Sequence, residues 1–103
     1  MRIISRKTLI AYWGKHPKVE QPLKSWFDEV LSANWSSANE LKQQYRNASI
    51  ITKKRVVFNI KGNHHRLVVD VEYKLGIIFV VWIGTHEDYD KLNIKEISYV
   101  KGN

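Results

Sequence analysis

The chain has 103 residues, 44% of them hydrophobic, which suits a single domain over residues 1–103 with one modest core. It has no cysteine, so neither a disulfide framework nor a zinc-thiolate site can be built from it. Seventeen Lys and Arg against ten Asp and Glu leave a formal charge of +7; with no bilayer-length apolar stretch and no leader-like N-terminus, the expected location is the cytoplasm.

Residues 2–4 suit a short edge strand. Ser5 is placed to cap a helix carrying Leu9, Tyr12 and Trp13 at helical spacing, and this helix should stop near His16, because Pro17 restricts the residue before it. Pro17 fits the first turn of a second helix, where Val19, Leu23, Trp26, Phe27, Val30 and Leu31 form an apolar stripe. Ser37 with Glu40 reads as a capping box for a short third helix that sets Leu41 and Tyr45 on one side.

Beyond residue 54 the hydrophobic period changes to two and β-branched residues take over. Residues 55–60, 65–73 and 77–84 read as three strands, joined by "KGNH" and "KLG" as tight connections. Val56, Phe58 and Ile60 share one face of the first; Leu67, Val69, Val71 and Tyr73 share one face of the next. Arg66, Asp70 and Glu72 occupy the opposite face, which is expected to be at least partly wet. The predicted architecture is α+β, with N-terminal helices packed on one face of an antiparallel sheet.

The positive charge is concentrated. Lys42, Arg46, Lys53, Lys54, Arg55, Lys61 and Arg66 fall within residues 41–69, a span without Asp or Glu. Such a field attracts a polyanion or an acidic protein, or it is a solvated face without a specific ligand. Arg66 near the start of its strand either clamps a phosphate or pairs with a neighbouring acid. Of His64 and His65, one belongs in the turn and the other at the strand entrance. After the most hydrophobic strand, "THEDYDK" sets His86 and Tyr89 three apart, suited to proton transfer and phosphate orientation, while its acids also fit ordinary helix-start chemistry. His64, His65, His86 and Asp90 make only a loose metal set, since adjacent histidines on a strand face opposite ways; no metal and no cofactor is expected. There is no Gly-rich nucleotide fingerprint or serine elbow.

"KRVVFNIKGNHHRLVVDVEY" followed by "IIFVVWIGTHEDYDK" resembles the HigB family of type II toxin–antitoxin toxins, within the larger RelE-like group. "KTLIAYWGKHP", "PLKSWFDEV" and the spacing of Trp35, Ala38 and Leu41 extend the resemblance over almost the whole chain. The resemblance implies a compact RelE-like domain acting as a ribosome-dependent mRNA endoribonuclease, silenced by a cognate HigA-like helix-turn-helix antitoxin. It places the family's arginine at Arg66, its histidine at His86 and its tyrosine at Tyr89, the expected catalytic residues; beside them Lys53, Lys54, Arg55, Lys61, Asn63, His64 and His65 read as RNA contacts. A noncatalytic RNA- or ribosome-binding module and a basic protein-interaction module are the alternatives from other classes.

Overall fold

The structure, a computed structural model, describes residues 1–98. Strand β1 (Arg2–Ile4) leads into helix α1 (Arg6–Lys15), which ends where the His16 amide donates to the Tyr12 carbonyl at 2.9 Å. Pro17 does start the next helical stretch, but as a tight 3-10 turn, Pro17–Val19, that runs into α2 (Glu20–Ser32). Val19, Leu23, Trp26 and Val30 are buried and Phe27 packs beside them. Leu31 differs from expectation: a step of roughly 100° past Val30 carries it out of the stripe, and it is 48% exposed.

Helix α3 (Ala38–Gln44) begins at the expected cap, with the Ser37 hydroxyl accepting from the Glu40 amide at 3.3 Å. The Glu40 carboxylate reaches one residue further back than a capping box requires, accepting from the Ser36 amide and hydroxyl. These bonds pull the Glu40 carboxyl below the usual carboxylate range. Leu41 is buried and Tyr45 packs edge-on to Phe58, so the helix turns its apolar side to the sheet.

The sheet has five strands in the order β1-β5-β4-β3-β2, where β2 is Ser49–Ile50, β3 is Arg55–Ile60, β4 is His65–Glu72 and β5 is Ile77–Thr85. Strands β3, β4 and β5 form the expected antiparallel meander. Strand β1 lies parallel to β5, so the sheet is mixed; the intervening helices and strands supply the long crossover that parallel pairing needs. Strand β2 is too short for a periodicity to announce it.

The 61–64 connection turns through positive φ at Lys61 (54°) and Gly62 (64°). Glycine accepts that conformation freely; lysine does so only because the closing pair Ile60–His65 holds it.

One sheet face carries the core: Val56, Phe58, Ile60, Leu67, Val69, Val71, Ile78 and Val80 pack against α1, α2 and α3. On the other face the register aligns Asn59 with Arg66 and Gly84, Val57 with Val68 and Trp82, and Arg55 with Asp70 and Phe79. This face is only partly wet, since Val57 and Val68 are fully buried. Arg55 explains part of the cover: its guanidinium donates to the carbonyls of Ile94 and Ile97, tying the segment after the last helix across the sheet.

Candidate active site at the turn end of the sheet

Arg66 sits at the second position of β4, where the chain leaves the turn. Its guanidinium donates to the Asn63 carbonyl at 2.8 Å and to the Asn63 side-chain oxygen at 3.3 Å. It also lies over the Tyr89 ring, 5.8 Å from the centroid. No carboxylate pairs with it among the described residues, in contrast to Arg55. The Arg66 charge is therefore oriented by the turn but not neutralised.

Tyr89 reaches this position on α4 (His86–Tyr89), a single turn that begins at the end of β5. The Thr85 hydroxyl caps it by accepting from the Asp88 amide at 3.2 Å. The His86 amide donates to the His64 carbonyl at 3.0 Å, which fastens α4 to the turn bearing Asn63. The His86 side chain is 46% exposed, and its Nδ1 stands 3.4 Å from an Asp90 carboxylate oxygen. Burial holds the Tyr89 phenol above its usual range, with the Arg66 charge opposing and Asp90 reinforcing that shift. At neutral pH this phenol keeps its proton and can donate it.

Trp82, on β5 two residues before Gly84, belongs to the same surface. Its ring lies 6.3 Å from that of Tyr89 and across Gly84, where an added Cβ would come within 2.4 Å of the indole. Alternate positions 82 and 84 face the same way on a strand, so a large ring beside a glycine was the available signal.

His65 takes the opposite direction. It faces the helices, where its Nδ1 shares a 2.7 Å hydrogen bond with the Tyr12 hydroxyl and its ring meets His16 edge-on. Burial depresses its pKa first, and the nearby His16, His64 and Lys61 lower it further. Tyr12 and His16 stack at 4.3 Å; their spacing of four along α1 was the sequence sign of this group. The two histidines quoted together in "GNHHR" thus serve different places, His64 in the turn and His65 against α1.

The basic residues divide as well. Arg55 is 7% exposed and holds the Asp70 carboxylate through two 2.8 Å bonds. Its donors are committed inside the fold. Lys54 pairs with Glu72 at 2.6 Å, which raises its pKa, while Lys53 and Lys61 form no ion pair among the described residues. Lys53 and Lys54 precede β3, and from Arg55 to Asn59, the cross-strand partner of Arg66, the strand runs roughly 13 Å. A lysine there meets a different part of a long polyanion from the one at Arg66. Lys61 and Asn63 stay at the turn.

The arrangement offers an unpaired guanidinium, a protonated phenol and an exposed imidazole around one sheet end, flanked by an indole. Those groups can neutralise, orient and exchange protons with a phosphodiester. Among the described residues no group of three or more His, Asp or Glu side chains is arranged to hold a metal ion, and no helix is long and apolar enough to cross a membrane. A family model described as HigB toxin, the RelE-like toxic component of a toxin–antitoxin system, matches residues 19–92. The match contains Arg66, His86 and Tyr89 but stops short of Tyr12 and His16. No curated protein matches the chain.

Proposed function

Since this chain belongs to the HigB family of RelE-like toxins, we propose that it is an mRNA endoribonuclease that cuts messages on the ribosome, in the cytoplasm, and is held in check by a helix-turn-helix antitoxin of the HigA kind. The observation that carries the reading is the Arg66 guanidinium, anchored by Asn63 over the Tyr89 ring and left without a carboxylate partner.

In the proposed reaction the RNA 2′-hydroxyl attacks the adjacent phosphorus in line. The bond to the 5′-oxygen of the next nucleotide breaks, leaving a 2′,3′-cyclic phosphate and a 5′-hydroxyl. The substrate supplies its own nucleophile, and the step draws only on side chains of this chain. His86 exchanges the proton, Arg66 offsets the charge gathering on the phosphate, and the protonated Tyr89 phenol orients that phosphate or protonates the departing oxygen. Trp82 offers a base a stacking surface. Lys53, Lys54, Lys61, Asn63 and His64 supply contacts along the RNA, whereas Arg55 supports the sheet that presents them and His65, turned to α1 and bonded to Tyr12, is withdrawn from that surface.

A domain this small has few groups for reading a codon unaided, so the ribosome supplies alignment of the message. Purified protein incubated with a defined mRNA, with and without ribosomes, tests this. Cleavage confined to ribosome-containing reactions, with cyclic phosphate at the new ends, is the expected result. Equal cutting of free RNA refutes ribosome dependence; retained RNA binding with no cleavage in either reaction replaces the enzyme with a noncatalytic RNA- or ribosome-binding module. The co-expressed antitoxin should form a stable complex that suppresses cleavage.

A further inference from the structure

On the helix side of the sheet lies a cleft that the proposed reaction does not use. It measures ≈ 310 Å³ and is formed where the end of α1, the 3-10 turn and the 61–64 connection meet, a size at the lower end of ligand-binding clefts. Lys15, His16, Lys18, Lys61 and His65 line it, and no carboxylate does. The three lysines are exposed and form no ion pair among the described residues. His65 faces the cleft from the helix side of β4, while Arg66, the next residue along the strand, points the other way. An RNA lying across Arg66 and Trp82 is therefore on the opposite side of the sheet.

Both imidazoles are fixed by Tyr12. Its hydroxyl shares a 2.7 Å hydrogen bond with His65 Nδ1, its ring stacks on His16 at 4.3 Å, and the two imidazoles meet edge-on at 5.7 Å. A hydroxyl donates to Nδ1 of the neutral ring and accepts from the same nitrogen once it is protonated, so His65 can gain a proton without losing Tyr12. Its Nε2 has no partner among the described residues. The charge around the pair is mostly of one sign: after burial itself, His16, His64 and Lys61 oppose a proton on His65, while Glu87 of α4 favours it. Asp88 of the same helix acts on Tyr12, and neither acid lines the cleft. Like charges crowded into a concave surface are relieved by an anion that accepts several hydrogen bonds at once.

We propose that this cleft binds a dianionic phosphate monoester or free phosphate, held by Lys15, Lys18 and Lys61 and by the imidazoles of His16 and His65. The inference is independent of the nuclease reading above. Three lysines and two protonatable rings call for more than the single charge of a backbone phosphodiester, and a monoester carries nearly two charges above its second pKa of about 6 and three oxygens to accept with. Binding and protonation reinforce each other. The anion raises the pKa that its absence leaves depressed at His65, so the complex takes up a proton near neutral pH and the affinity grows as the pH falls towards about 6.5.

Titration of the full ¹⁵N-labelled chain with inorganic phosphate, with adenosine 5′-monophosphate and with the diester dTpdT decides the matter. The imidazole resonances of His16 and His65 should move to saturation with phosphate, and the affinity at about pH 6.5 should exceed that at about pH 8 by roughly three- to tenfold. K15S and K18S, both at exposed positions, should each weaken the affinity by roughly two- to fivefold in folded protein, and H65N should bring the pH ratio towards one. Tighter binding of the nucleotide than of phosphate assigns the site to a nucleotide's terminal phosphate, equal binding to phosphate itself; both support the proposal. Absence of saturable shifts at His16 and His65, or shifts indifferent to K15S and K18S, overturns it. The diester should bind more weakly than phosphate by roughly threefold or more, and equal binding overturns the monoester assignment.

Discussion

Replacing Arg55 with alanine would strand the Asp70 carboxylate on a half-covered sheet face and release the carbonyls of Ile94 and Ile97. We expect R55A to lose about 2–3 kcal/mol of stability, less than the ~3–5 kcal/mol of a fully buried pair because Asp70 keeps some contact with water. Denaturant midpoints measure the loss; RNA affinity per folded molecule should stay close to wild type. A stable R55A with weak RNA binding would return Arg55 to the RNA surface. His65 makes a second prediction at this scale. Its pKa is lowered in the folded protein by burial and by His16, His64 and Lys61, with Glu87 opposing. As pH falls below about 6.5, the unfolded chain takes up this proton before the native one, so stability is intact above that value and declines below it. In H65N that contribution is gone, and the wild type should lose stability relative to it between about pH 7 and 5. Parallel pH curves in urea unfolding would contradict the assignment.

Strand β5 and the short α4 after it act as one unit. Gly84 leaves space for the Trp82 ring, Trp82 neighbours Tyr89, and the Thr85 cap sets the turn that carries His86 and Tyr89. A methyl at position 84 must push the indole aside. We expect G84A to cost about 1–3 kcal/mol, to shift the Trp82 indole N–H resonance and to reduce cleavage by displacing Tyr89. An unmoved Trp82 resonance would show that the ring does not depend on Gly84. The strands of the meander were legible in sequence because alternation of Val, Phe and Ile specifies one buried face. The parallel placement of β1 was not, since three residues fit either edge in either direction and only the crossover decides.

Across the whole molecule, the run of seven positive residues without an acid overstates the field that the fold presents. Asp70 and Glu72 come from outside that run and meet Arg55 and Lys54 across the strands. Linear charge counting cannot see cross-strand partners. It did mark Arg66 and Lys61 near one another, because a tight turn keeps sequence neighbours as spatial neighbours. It missed Tyr12, His16 and Asn59, which join this end of the sheet only through tertiary packing and strand register. The central claim is that Arg66 and His86 act on the chemistry of cleavage and not merely on binding. Single-turnover cleavage of ribosome-bound mRNA by wild type, R66A and H86Q tests it, with ribosome cosedimentation and circular dichroism on the same preparations. Each variant should lose about 10²–10⁴-fold in rate while staying folded and ribosome-associated. Folded, ribosome-associated H86Q cutting at close to the wild-type rate would contradict the account and remove His86 as the proton-transfer residue.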